Sequence, residues 1–181
     1  MSSPPSSSAA SGSAAPSRAR AAWLRYGIAA LVVVLDQITK VAIDRSLALY
    51  ERIPITSFFN ITKAYNEGAA FSFLQDAGGW QRWFFTIVSA TVSVLFVVWL
   101  QRMEPRERTL GIAIALILGG ALGNLIDRVI YGHVVDFIQV YWAGAWTFPS
   151  FNVADSAITC GAALLIILTL FDKPEESAAA R

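Results

Sequence analysis

A chain of 181 residues that is 55% hydrophobic and only 15% charged is too apolar for a soluble domain of its size. A formal net charge of +1, with no Lys/Arg cluster interleaved with aromatics on a polar face, argues against a nucleic-acid partner. The one cysteine, Cys160, rules out an internal disulfide, and it reads as a small apolar residue inside a membrane span; with a single histidine, His133, read as a loop residue, neither a metal site nor a cofactor is expected.

Residues 1–16 are almost entirely Ser, Ala, Gly and Pro, a composition that cannot bury enough surface to offset chain entropy, so a disordered tail is expected over 1–21. Arg18, Arg20 and Arg25 then precede the first of four apolar blocks, near 23–43, 83–100, 110–130 and 153–171. Each holds about 20 residues, enough for an α-helix to cross a hydrocarbon core about 30 Å thick. The first block runs into Asp36-Gln37-Ile38-Thr39-Lys40 without a small-x-small cleavage site, so it reads as an uncleaved span. Residues 22–172 form the expected four-span unit, and 173–181 a second tail.

Four spans put both termini on one side. Arg102, Arg106 and Arg108 in the short loop between spans two and three, together with the arginines before span one, make that side cytoplasmic. The long opposite loop, 44–82, contains Ile53-Pro54-Ile55-Thr56 and Phe58-Phe59-Asn60-Ile61-Thr62, rich in β-branched and aromatic residues, with Pro54 suited to an edge strand. A small β-rich subdomain on the outer face follows, giving an all-α membrane fold with that addition. Trp80, Trp83, Tyr141, Trp142 and Trp146 read as interface anchors.

Polar residues inside apolar spans need a reason, because desolvating them is costly. In span one, Asp36 and Lys40 lie one helical turn apart and are expected to pair. In span three, Gly119, Gly123 and Asp127 form one stripe and Gly120, Asn124 and Arg128 its neighbour; the glycines permit close helix packing, and Asp127 beside Arg128 reads as a locally compensated pair. Before span four, Pro149 and Ser150 mark a helix start, after which Asn152, Asp155, Ser156 and Thr159 share a face.

Two aspartates flank the Trp-rich connection between spans three and four: Asp136 in Val134-Val135-Asp136-Phe137, and Asp155 in Phe151-Asn152-Val153-Ala154-Asp155. Two carboxyls in one small site do not both ionise easily and so share a proton. One then accepts a proton from water while the other donates to a substrate carbonyl, which is hydrolysis without a metal or covalent intermediate. A small proton-coupled transporter with intramembrane carboxylates is the alternative, opposed by the lack of an internal repeat and by the clustering of polar residues at one face.

Asp36-Gln37-x-x-Lys40, Asn66-Glu67-Gly68-Ala69-Ala70-Phe71, Gly119-Gly120-Ala121-Leu122-Gly123-Asn124-x-x-Asp127-Arg128, Val134-Val135-Asp136-Phe137 and Phe151-Asn152-x-Ala154-Asp155 stand in an order that resembles the lipoprotein signal peptidases, the type II signal peptidases of bacteria. The resemblance runs from about residue 23 to 171. It implies an aspartic endopeptidase of the bacterial inner membrane that cuts diacylglyceryl-modified prolipoproteins before their lipidated cysteine, among membrane lipids and without an obligate protein partner. It implies that Asp136 and Asp155 are catalytic, that Asn66, Asn124, Arg128 and Asn152 line or brace the site, and that Asp36 and Lys40 stabilise it. Asp127 is assigned to bracing, and Gly68, in Gly68-Ala69-Ala70, would let a substrate backbone come close.

Overall fold

The computed structural model of the protein describes residues 17–68, 80–142 and 146–171. Expectations for the Ser/Ala-rich tail over 1–16, for Ala69 and Ala70, and for 173–181 fall outside the described residues.

The first helix, α1 (Arg18–Ser46), is capped by Ser17, whose side chain accepts from the Arg20 backbone N–H at 3.3 Å. The hydroxyl cap lets the helix start before the apolar block, so Arg18, Arg20 and Arg25 lie within it. Arg25 is buried and donates to the carbonyls of Met103 at 3.5 Å, Glu104 at 2.6 Å and Glu107 at 3.3 Å. Those carbonyls belong to the turn joining α2 (Trp80–Arg102) to α3 (Arg108–Ile130), where helix-end groups lack helical partners. Arg25 thereby ties the start of α1 and the α2–α3 turn to one end of the bundle.

With α4 (Val153–Phe171), these are four helices long and apolar enough to cross a membrane. Among them α3 is central: 56% of its apolar window is buried, against 22% or less in the others, and it packs on α1, α2 and α4. Its small residues explain the position. A side chain at Gly120 would run into the Ala154 carbonyl, and one at Gly123 into the Asp36 carboxyl. The outward faces remain apolar, with Leu31 and Ile38 on α1, Ile87 and Leu95 on α2, and Ile166 and Leu170 on α4 all exposed.

Four antiparallel strands, β1 (Arg52–Pro54), β2 (Phe59–Asn66), β3 (Val134–Trp142) and β4 (Trp146–Thr147), follow in sheet order β1-β2-β3-β4. Pro54 is on an edge strand, as its missing N–H requires. The long strand β3 is an addition to the sequence reading, which gave the Trp-rich connection between spans three and four no strand. It pairs with β2 through Asn66↔Val134 and Ala64↔Asp136, so its partner lies some seventy residues earlier, beyond the reach of local periodicity. Phe151 extends the sheet: its N–H donates to the Ile138 carbonyl at 3.0 Å, and its carbonyl accepts from Phe137 and Ile138 at 3.0 and 2.8 Å. This bridge brings Asn152 beside Asp136. Trp80, Trp83, Trp142 and Trp146 are exposed at span ends and sheet rim; the first two lie in the opening turn of α2, not ahead of it.

Candidate active site

Helix α4 begins at Val153, where the fourth span was expected, and Asn152 with Asp155 closes its first turn. Asn152 Oδ1 accepts from the Asp155 N–H at 2.9 Å, while Asp155 Oδ2 accepts from the Asn152 N–H at 3.3 Å. The Ala154 N–H, another orphan donor of this helix end, goes to Asp36 Oδ1 at 2.9 Å. Asp155 is thus held in the first turn of α4 and remains partly exposed.

Asp136 arrives from β3 and is almost fully buried, with 3% of its surface accessible. Its Oδ1 accepts from Asn152 Nδ2 at 2.7 Å and its Oδ2 from Asn66 Nδ2 at 3.0 Å. Burial pushes the Asp136 carboxyl up to about 7; the nearby Asp155 charge acts in the same direction, and the two amide hydrogen bonds oppose it. The expected pair is therefore brought together, with Asn152 bonded to both members.

Asn124 of α3 completes the bridge. Its Nδ2 donates to Asp155 Oδ1 at 2.7 Å, and its Oδ1 accepts from Lys40 Nζ at 2.9 Å and from Asn152 Nδ2 at 3.2 Å. Asn66 is held by its own turn: its Oδ1 accepts from the Gly68 N–H at 2.9 Å. Gly68 adopts φ +107°, a conformation open to glycine because other residues place Cβ against the backbone there. That geometric role is separate from the expected approach of substrate, and the neighbouring Ala69-Ala70 lies outside the described residues.

Beneath the pair lies a charged cluster. Lys40 Nζ contacts Asp36 Oδ2 at 2.8 Å, as expected, and Asp127 Oδ2 at 2.9 Å. The second contact corrects the sequence reading: Asp127 pairs with Lys40 across the α1–α3 interface and not with Arg128. Successive helical residues point about 100° apart, so the two neighbours face different surroundings. Asp127 also accepts from Gln37 Nε2 at 2.8 Å and, at 3.4 Å, from the N–H of Val135, the residue before Asp136. Gln37, to which sequence reasoning gave no role, donates further to Asp36 Oδ2 and the Gly123 carbonyl, both at 3.2 Å. Its signal was its spacing: Gln37 and Lys40 are three apart on one face of α1.

Arg128 lies half-buried near both catalytic candidates, its guanidinium 5.5 Å from the Phe85 ring centre and its Nη1 donating to the Asn124 carbonyl at 3.4 Å. Its buried Nε has no hydrogen-bond partner among the described residues. Ser156 and Thr159 stand apart from the network, since their hydroxyls donate to the Asn152 and Asp155 carbonyls of their own helix. His133 is in the turn between α3 and β3, its ring centre 3.9 Å from that of Tyr65. Tyr65 and Lys63 in turn bond Asp44 at the end of α1, both at 2.9 Å, clamping the sheet to the bundle.

What this constellation can do chemically is move protons between two carboxyls whose surroundings differ, one buried and one partly open. Comparison with known proteins gives the same class. Residues 28–171 match the family described as Signal peptidase (SPase) II. A lipoprotein signal peptidase of Ectopseudomonas mendocina is 52% identical over 160 residues, covering 87% of this chain and 93% of that protein. Another, from Pseudomonas aeruginosa strain UCBPP-PA14, is 54% identical over 149 residues, covering 82% and 87%. A solved structure titled as a bacterial membrane enzyme at 2.3 Å resolution superposes with TM-score 0.75 and 34% identity, covering 87% of this chain and 94% of that one. The transporter alternative is not supported. With its sheet, all five motifs and all but the first turns of α1 inside the matched region, this chain belongs to the signal peptidase II family of membrane aspartic proteases.

Proposed function

We propose that this protein removes signal peptides from diacylglyceryl-modified prolipoproteins, with Asp136 and Asp155 as the catalytic pair, cutting before the lipidated cysteine. The observation that carries the assignment of the pair is the asymmetry between its members. Asp136 is buried and titrates near neutrality, so in this reading it holds the shared proton, while Asp155, partly exposed, is the one that water can reach.

In this reading Asp155 takes a proton from water as the oxygen attacks the scissile carbonyl, and Asp136 gives its proton to the carbonyl oxygen. Collapse of the tetrahedral intermediate breaks the C–N bond, the amine leaves with the proton from Asp155, and Asp136 recovers its own. Asn66, Asn124 and Asn152 orient the carboxyls, Arg128 lines the site, Gly68 allows close approach, and Asp36, Lys40 and Asp127 brace it. The four spans act as one membrane unit that begins at Arg18, where α1 starts, so the first tail ends before residue 17 and not at 21 as expected; 173–181 is the second tail.

The protein resides in the bacterial inner membrane with both termini cytoplasmic and the site near the outer face. Support comes from the side that gathers Arg18, Arg20, Arg102, Arg106 and Arg108 at the end of the bundle opposite the sheet. There the acyl chains of a lipidated cysteine stay in the bilayer while its peptide reaches the pair.

The test is cleavage of a diacylglyceryl-modified prolipoprotein by purified protein in detergent, with the product's new N-terminus read by mass spectrometry. The expected product begins at the lipidated cysteine. Inertness of folded protein toward this substrate overturns the proposal.

A further inference from the structure

Three asparagines donate to the two carboxyls, and each has its own carbonyl oxygen occupied by a group that is only a donor. For Asn66 that group is the Gly68 N–H, for Asn152 the Asp155 N–H, and for Asn124 the ammonium of Lys40. The two ends of a carboxamide have nearly the same size, so packing does not choose between an amide and its flipped form. Hydrogen-bond chemistry chooses.

Flipping Asn124 would set its oxygen against Asp155 Oδ1 and its NH2 against the Lys40 ammonium, two contacts with no proton to share or with too many. Asn152 Nδ2 also favours the observed orientation, but its two hydrogens are divided among Asp136 Oδ1 at 2.7 Å, Asn124 Oδ1 at 3.2 Å and the Val135 carbonyl at 3.4 Å. Lys40, at 2.9 Å, is therefore the main lock on Asn124. Resting on the assignment of Asp136 and Asp155 above, we propose that Lys40 is a positioning residue for the reaction: by holding the Asn124 oxygen it keeps the Asn124 N–H aimed at Asp155.

Lys40 cannot act more directly. It is 2% exposed, and its three N–H bonds are matched by Asp36, Asp127 and Asn124. The other two locks are backbone groups that no side-chain substitution removes. Lys40 is the one that mutagenesis can lift.

Lys40→Met alone strands two buried carboxylates, so the informative protein is Lys40→Met with Asp127→Asn, in which one positive and one negative charge leave together. It is compared with Asp127→Asn alone, each purified and shown folded by thermal unfolding. The expected result is a further fall in kcat of about ten- to a hundredfold, the scale of one lost or reversed hydrogen bond, at unchanged KM. In an Asn124→Ala background the same Lys40 change should cost nothing more, because its target is gone. Equal kcat with and without Lys40 overturns the proposal, as does a full further loss in the Asn124→Ala background. Should the double variant not fold, Asn124→Asp decides: it keeps a partner for Lys40 but has no N–H for Asp155. The expected result is folded protein with kcat as low as that of Asn124→Ala, and near-normal kcat overturns the proposal. Asp136→Asn and Asp155→Asn are measured alongside. Activity in those two defeats the assignment of the pair itself, whereas their inertness with flat Lys40 results defeats only the positioning role.

Discussion

Asn152 and Asp155 cap each other: each accepts, through its side chain, the backbone N–H of the other, at 2.9 and 3.3 Å. A residue proposed for proton transfer is thus also part of a helix end, which separates the effects of two substitutions. Asn at 155 retains an oxygen for the Asn152 N–H but cannot exchange a proton at neutral pH.

Asp155→Asn and Asp136→Asn are therefore expected to reach the membrane in near-normal amounts while prolipoprotein cleavage falls by about a hundredfold or more, the scale of general acid–base catalysis. Immunoblotting of membranes beside a cleavage assay checks both halves. Near-normal turnover by folded Asp136→Asn would remove it from the pair.

Asp127→Asn should fail differently. Its carboxylate meets Lys40, Gln37 and the Val135 N–H while almost wholly buried, and removing one partner of a buried ion pair costs about 3–5 kcal/mol. The expected outcome is a lower unfolding temperature and less accumulated protein, with kcat of the folded fraction largely kept. A stable but inactive Asp127→Asn would shift the chemistry to Asp127.

Because Asp136 sits at about 7 when folded, above its ordinary 3.8, the folded chain keeps a proton that the unfolded chain has already released between those values. The stability contribution is complete below about 4 and disappears as pH rises through about 7. Measured against Asp136→Asn, which lacks this titration, the unfolding temperature of the unmodified protein should fall between pH 5 and 8. If Asp136 is the acid, kcat/KM should decline as pH rises through about 7. A relative unfolding temperature that rises with pH would contradict the assignment.

Single cysteines at Ser57 and Glu104, both exposed, test the orientation after Cys160→Ala. A membrane-impermeant thiol reagent applied to the outer side should label the first and spare the second. Labelling of both from the same side would refute the four-span topology.

Much of this was legible in the chain. Spans declare themselves by length and hydropathy, and Asp36 and Lys40 by their spacing of one helical turn. The Asp136 and Asp155 pairing was legible from the motifs around them. Less visible was anything set by partners distant in sequence: β3, whose ladder is supplied by β2, and the true partner of Asp127, which lies on α1. The start of α4 at Val153 agrees with the fourth apolar block, 153–171. Pro149 and Ser150 precede it as helix-start signals, and the reciprocal bonds between Asn152 and Asp155, which only the structure shows, satisfy orphan groups of its first turn.

Arg25 and Lys40 come from α1, Asn124 from α3, Asp136 from β3 just after it, and Asn152 with Asp155 from the start of α4. Since a membrane protein emerges from its N-terminus, Asp136 has no Asn152 beside it, and Asn124 no carboxylate to hold, until α4 has inserted. Order of synthesis thus sets the order in which the network forms. The hydrogen-bond network around the two carboxyls closes when α4 joins the other three helices.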